Sequence, residues 1–104
     1  MKKIEVNQIL KNFKGEELKG ENGESLTIGK ALSNVLVLSQ DGDKMKTFVL
    51  SQRLYTENGV VDLDESDFQL VKKAVETDKA YSVMVTGQLL VNLSNIQSTE
   101  VNKK

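Results

Sequence analysis

The spacing of apolar residues changes character near residue 27, and that change restricts the fold more than any other feature of the chain. Before it, Ile4 and Val6 alternate with polar neighbours at the two-residue period of a strand, and Lys14-Gly15 breaks the run. Glu21-Asn22-Gly23-Glu24 then lies between Leu18 and Leu26 as a hairpin turn would. A second reading is open for the same segment. Val6, Ile9, Leu10 and Phe13 fall at i, i+3, i+4 and i+7, which makes them a helical stripe bounded by Gly15, Gly20 and Gly23.

From Thr27 onward the period is helical. Thr27 is placed to cap a first helix running to about Ser39, with Ile28, Ala31, Leu32 and Val35 on one face and Leu36, Val37 and Leu38 widening it. Asp41-Gly42-Asp43 interrupts the pattern. Met45, Phe48 and Val49 restart a stripe, joined by Leu50, Leu54 and Tyr55, in a second helix that Asn58-Gly59 ends. The best-specified local structure is Val61-Asp62-Leu63-Asp64-Glu65-Ser66-Asp67-Phe68. With Asp64 as N-cap, Asp67 takes the third helical position of a capping-box variant, and Leu63 can pack on Phe68 as a hydrophobic staple. Phe68, Val71, Ala74 and Val75 give this third helix its buried face, and Thr77-Asp78-Lys79 ends it. Ala80 to Ile96 is the most apolar stretch, with apolar residues around nearly its whole circumference; it predicts a fourth helix that is central in the core or half of a subunit interface.

The expected fold class is therefore α+β, mainly α, with a short N-terminal β-hairpin packed on about four helices, the fourth central. Residues 1–97 form one globular domain, with a hairpin and turn region over 1–26 and a helical region over 27–97; 98–104 are expected to be a flexible C-terminal tail.

Composition narrows the chemistry. The 104 residues include no His, Cys, Trp or Pro, which removes the imidazole base, the thiolate nucleophile and the usual zinc ligands. Catalysis would rest on Asp, Glu, Lys, Tyr or Ser, so the expectation is a protein that is not an enzyme and takes no cofactor. Fourteen basic against fifteen acidic residues give a net charge of −1, which exerts no long-range pull on nucleic acid or anionic lipid. Met1-Lys2-Lys3 is followed by polar residues rather than a hydrophobic signal core, and no apolar run reaches membrane-spanning length, so neither membrane nor nucleic acid is an expected partner. Zero cysteine fits a reducing compartment, and the cytoplasm is the default location.

Three motifs test for specific chemistry and fail. Gly23 to Ala31 places five residues between its glycines where a phosphate loop needs four, and Ala31 stands where Ser or Thr would hold magnesium; a turn and a helix cap account for the segment better. The acidic run Asp62, Asp64, Glu65, Asp67 does not register as an EF-hand, because Asp67 falls on the required Gly and Lys73 on the bidentate Glu. The basic pairs Lys72-Lys73 and Lys44/Lys46 lack the arginines and aromatics of a nucleic-acid surface. Gly87, by contrast, interrupts the fourth helix at Val85-Thr86-Gly87-Gln88-Leu89 at a cost of about 1 kcal/mol relative to Ala, which asks for a compensating close contact. Either another helix of the same chain passes over it, the commoner reason for a helix glycine, or a partner backbone approaches there with Thr86 and Gln88 supplying hydrogen bonds.

The order of Leu26 to Leu36, then Val61-Asp62-Leu63-Asp64 opening a helix, then Lys79-Ala80-Tyr81 leading into Val85-Thr86-Gly87-Gln88 resembles a group of small bacteriophage and prophage proteins with an N-terminal hairpin and several helices. The resemblance spans most of residues 14–97. It implies a phage setting, in the host cytoplasm or on the virion, and transfers no catalytic residue. The functional expectation is an assembly or structural accessory component acting through protein contacts, either with copies of itself as a homo-oligomer or with a heterologous protein. Its candidate partner-binding residues are Asp62, Asp64, Glu65, Asp67, Thr86, Gly87 and Gln88. The alternative expectation is an inhibitor of a host enzyme or defence protein that presents the acidic run as a nucleic-acid mimic.

Overall fold

In the computed structural model the chain forms, in order, β1 (Lys2–Glu5), α1 (Ile28–Leu38), α2 (Lys44–Thr56), β2 (Val60–Leu63), α3 (Glu65–Thr77) and α4 (Val83–Asn102). It is a mainly-α α+β fold. The structure describes residues 2–20, 23–39 and 43–102, with side chains to residue 96. Glu21-Asn22 of the expected turn, Asp41-Gly42 of the expected interruption, and residues 103–104 of the expected tail lie outside these. α4 runs on to Asn102, into the segment read as a tail.

Residues before α1 are extended and turned, so the helical reading of Val6 to Phe13 does not hold. Their backbone groups go to one another: Leu18 N–H donates to Leu10 O at 2.9 Å, Leu26 N–H to Leu18 O at 2.8 Å, and Leu10 N–H to Leu26 O at 2.9 Å. Three stretches thus meet around three leucines, each donating to the next. The second and third are joined through a hairpin in which Gly20 N–H donates to Glu24 O at 2.8 Å and Gly23 takes φ +83°, a left-handed conformation that glycine adopts without a Cβ penalty. Leu10 and Leu26 are buried; Phe13, on the tip of the preceding loop, is 96% exposed.

Among the described residues the one regular sheet pairs β1 with β2 antiparallel, from Lys2 opposite Leu63 to Glu5 opposite Val60. This register puts Ile4 and Val61 opposite each other on the buried face and Lys3 opposite Asp62 on the exposed face, where they form an ion pair of 2.9 Å. One residue of slip would reverse both faces.

The helices start where side-chain oxygens satisfy their first N–H groups. Thr27 accepts from Lys30 N–H, Asp43 from Met45 and Lys46 N–H, and Asp64 from Asp67 N–H at 2.7 Å. Each such cap contributes about 1 kcal/mol. Leu63 and Phe68 flank the Asp64 cap and are both fully buried in the same core, as a staple requires.

Two expectations about the core are corrected. The central helix is α1, which packs against α2, α3 and α4, whereas α4 lies at the side of the molecule on α3, β1 and α1. The reason is visible in α1 itself: Ile28, Ala31, Leu32, Val35 and Leu36 are all buried, while Val37 and Leu38, expected to widen that face, point outward. In α2 the inward face is Thr47, Leu50, Ser51 and Leu54, and the predicted stripe of Met45, Phe48, Val49 and Tyr55 is exposed. Small polar residues occupy the contact because α2 comes close to α1. Ser51 satisfies its hydroxyl on Thr47 O at 2.7 Å within its own helix, and a Cβ built on Gly29 would stand 2.5 Å from Leu54 O.

Candidate partner-binding surface

The seven candidate residues fall into two sets in different parts of the molecule. Asp62 to Asp67 lie on β2 and the start of α3, beside β1 and α2; Thr86 to Gln88 lie in the second turn of α4 and are half-buried.

The acidic set is largely neutralised within the chain. Asp62 faces Lys3 at 2.9 Å, Glu65 faces Lys2 at 3.4 Å, and Asp67 faces Lys46 at 3.1 Å; the last pair is close without being aligned as a hydrogen bond, so it is an ion pair only. Lys46 also donates to Ser66 Oγ at 2.9 Å, and Lys2 lies 5.3 Å from the centroid of the Phe68 ring. Asp64 spends its carboxylate on the α3 cap. The run therefore presents pairs of opposite sign rather than a row of free carboxylates. At the surface such pairs contribute at most about 1 kcal/mol each.

The α4 set borders an open groove. Leu93, Leu89 and Val85 turn one side of the helix into the core, leaving Val83, Gly87 and Val91 in a row at i, i+4 and i+8 on the other. Val83 is 82% and Val91 62% exposed. Across from them stand the extended segment of Gln8, Leu10 and Phe13, and between the two lies a groove of about 640 Å³. No charged residue lines it. Gln88 bridges its walls: its Oε1 accepts from Lys11 N–H at 3.3 Å, and its Nε2 donates to Met84 O at 2.7 Å. The Thr86 hydroxyl donates back to Ser82 O at 3.2 Å. Both side chains are thus engaged within the chain, and Gln88 acts as a brace holding the groove's shape. At Asn92, in the groove lining, Oδ1 is buried and accepts no hydrogen bond from the described residues.

The surroundings of Gly87 bear on the in-chain reading of that glycine. A Cβ built there meets only Val83 of its own helix, at 3.8 Å, so no other helix passes over it. The in-chain explanation for the glycine is absent among the described residues.

Sequence reading missed Phe13, Val83 and Val91 as surface residues, since each looks like core by type alone. A signal was present all the same: from Ala80 to Thr99 the chain carries no charged residue, although charged residues make up 28% of the whole. A second concavity, between α1 and α2, has the exposed Val37 and Phe48 in its lining, beside Lys44. No helix among the described residues is long and apolar enough to cross a membrane.

Compared with known protein families, curated proteins and solved structures, the chain matches none.

Proposed function

We propose that this protein works without catalysis, through protein–protein contacts, as an assembly or structural accessory component of the phage or prophage type its sequence resembles, in the host cytoplasm or on the virion. The observation that carries the reading is the uncharged apolar groove between α4 and the Leu10–Phe13 segment, with large hydrophobic side chains exposed on both walls. Contiguous exposed apolar surface is uncommon on proteins that act alone and marks sites where another molecule covers it. The acidic run does not favour the inhibitor reading, because three of its four carboxylates face lysines.

The test is co-purification of the tagged protein from cells that carry the complete phage or prophage, with Val91→Asp as the comparison. A partner retained by the wild type and lost with Val91→Asp supports contact through the groove. Equal retention by both, or no partner in either case, counts against it. Retention of the partner in about 1 M salt separates apolar docking from charge mimicry, since exposed ion pairs are screened there within about 3 Å.

A further inference from the structure

We propose that the α4 groove is the self-association site of this protein, with α4 of a second copy as its occupant, the two helices crossing antiparallel at Gly87. The inference rests on the contact reading above and names its partner.

Three observations point to a second copy. The first is Gly87, a glycine in the interior of a 20-residue helix with open space where its Cβ would be. Glycine lowers helix stability relative to alanine, and here nothing among the described residues accounts for it. A backbone arriving from outside needs that missing Cβ. The second is the arrangement about it: Val83 stands four residues before Gly87 and Val91 four after, on one ridge. A two-fold axis through Gly87 brings Val83 of each copy against Val91 of the other, so the surface is complementary to itself, which a closed isologous dimer requires. Ridges of this i±4 kind interdigitate in the commonest class of helix packing. The third is charge. A two-fold axis sets a helix against its own copy, and any ionised group near the axis would meet its like. The groove lining has none, and the exposed polar residues of α4 beside it are amides and hydroxyls, which donate and accept equally.

The groove is lined by 11 residues, about half of the 20 to 30 per side in a standard stable interface. The dimer is therefore a weak one whose population depends on concentration, as suits a component that adds to a larger assembly.

The chain has no cysteine, so thiols can be placed at will. Val83→Cys and Val91→Cys proteins are purified, mixed at equal concentration and oxidised with glutathione disulfide, and the products are separated by mass after one of the two carries a tag. Crossing at Gly87 yields the mixed 83–91 disulfide in preference to either homodimer. Predominance of 83–83 or 91–91 products, or random pairing of all three, overturns the antiparallel crossing. In parallel, sedimentation of the wild type across a concentration series shows a monomer–dimer equilibrium, and Gly87→Leu raises the dissociation constant at least ~10-fold while keeping the far-UV spectrum and, in dilute protein, a melting temperature no lower than that of the wild type, because a Cβ there meets nothing closer than Val83 at 3.8 Å and leucine favours a helix over glycine. A wild type that stays monomeric throughout, or a Gly87→Leu protein that dimerises as well as the wild type, overturns self-association at this site. The broader contact reading is decided separately, by whether Val91→Asp loses a heterologous partner in cells.

Discussion

Gly29 and Gly87 both sit inside helices, and their surroundings are opposites. At Gly29, near the start of α1, a Cβ would stand 2.5 Å from Leu54 O and 2.7 Å from Val6 Cβ, and the glycine's own N–H donates to Val6 O at 3.0 Å. Two other parts of the chain have closed on that backbone. At Gly87 the same missing Cβ leaves open space beside a groove. One glycine is explained by the folded monomer and the other is not. Residue type alone cannot separate a glycine that the fold closes on from one that it leaves uncovered; the atoms around it can.

Substitutions can break or sharpen this contrast. The largest effect belongs to the interior of α1: Leu32→Ala is expected to cost about 2–5 kcal/mol in chemical denaturation, as cavities in a packed core do, and a cost under 1 kcal/mol would mean that α1 is not the centre of the fold. Next comes Gly29→Ala. Helix propensity alone would make it stabilising, but the clash with Leu54 O and Val6 should dominate and lower stability by about 1–3 kcal/mol. A neutral or stabilised Gly29→Ala protein would show that the two helices do not approach so closely. Removing the cap of the same helix, Thr27→Ala, should cost about 1 kcal/mol, the usual loss for an N-cap whose hydrogen bond, here from the half-buried Lys30 N–H, is removed. Gly87→Ala reverses the sign: measured in dilute protein it should gain up to about 1 kcal/mol, and a loss there would reveal an intramolecular neighbour. The smallest effect is that of Val91→Asp, expected within about 0.5 kcal/mol of wild type in the dilute monomer, since the residue is 62% exposed.

Local chemistry made much of the fold legible. The caps at Thr27 and Asp64, the turn at Gly23 and the α3 face of Phe68, Val71, Ala74 and Val75 are each determined within a few residues, and each is found where its spacing places it. What was not legible depends on distant partners. The β1–β2 pairing joins residues about 60 apart, and nothing in Val60–Leu63 announces that Lys2–Glu5 is its neighbour. The orientation of α2 was misread because Met45, Phe48 and Val49 are larger and more apolar than Thr47 and Ser51; contact with α1 at close range selects small residues over greasy ones. The candidate site was half visible. Gly87 stands out by propensity, whereas the groove beside it exists only once the Leu10–Phe13 segment has been folded against α4.

The pairing of β1 with β2 also sets a schedule. Ribosomes add residues at about 5–20 per second, so the strand Lys2–Glu5 waits about 3 to 12 s before Val60–Leu63 has been made. Throughout that wait Ile4, fully covered in the finished molecule, has no partner strand. Until then the nascent chain carries an unmatched apolar strand, and anything that slows translation between residues 6 and 60 lengthens its exposure to aggregation.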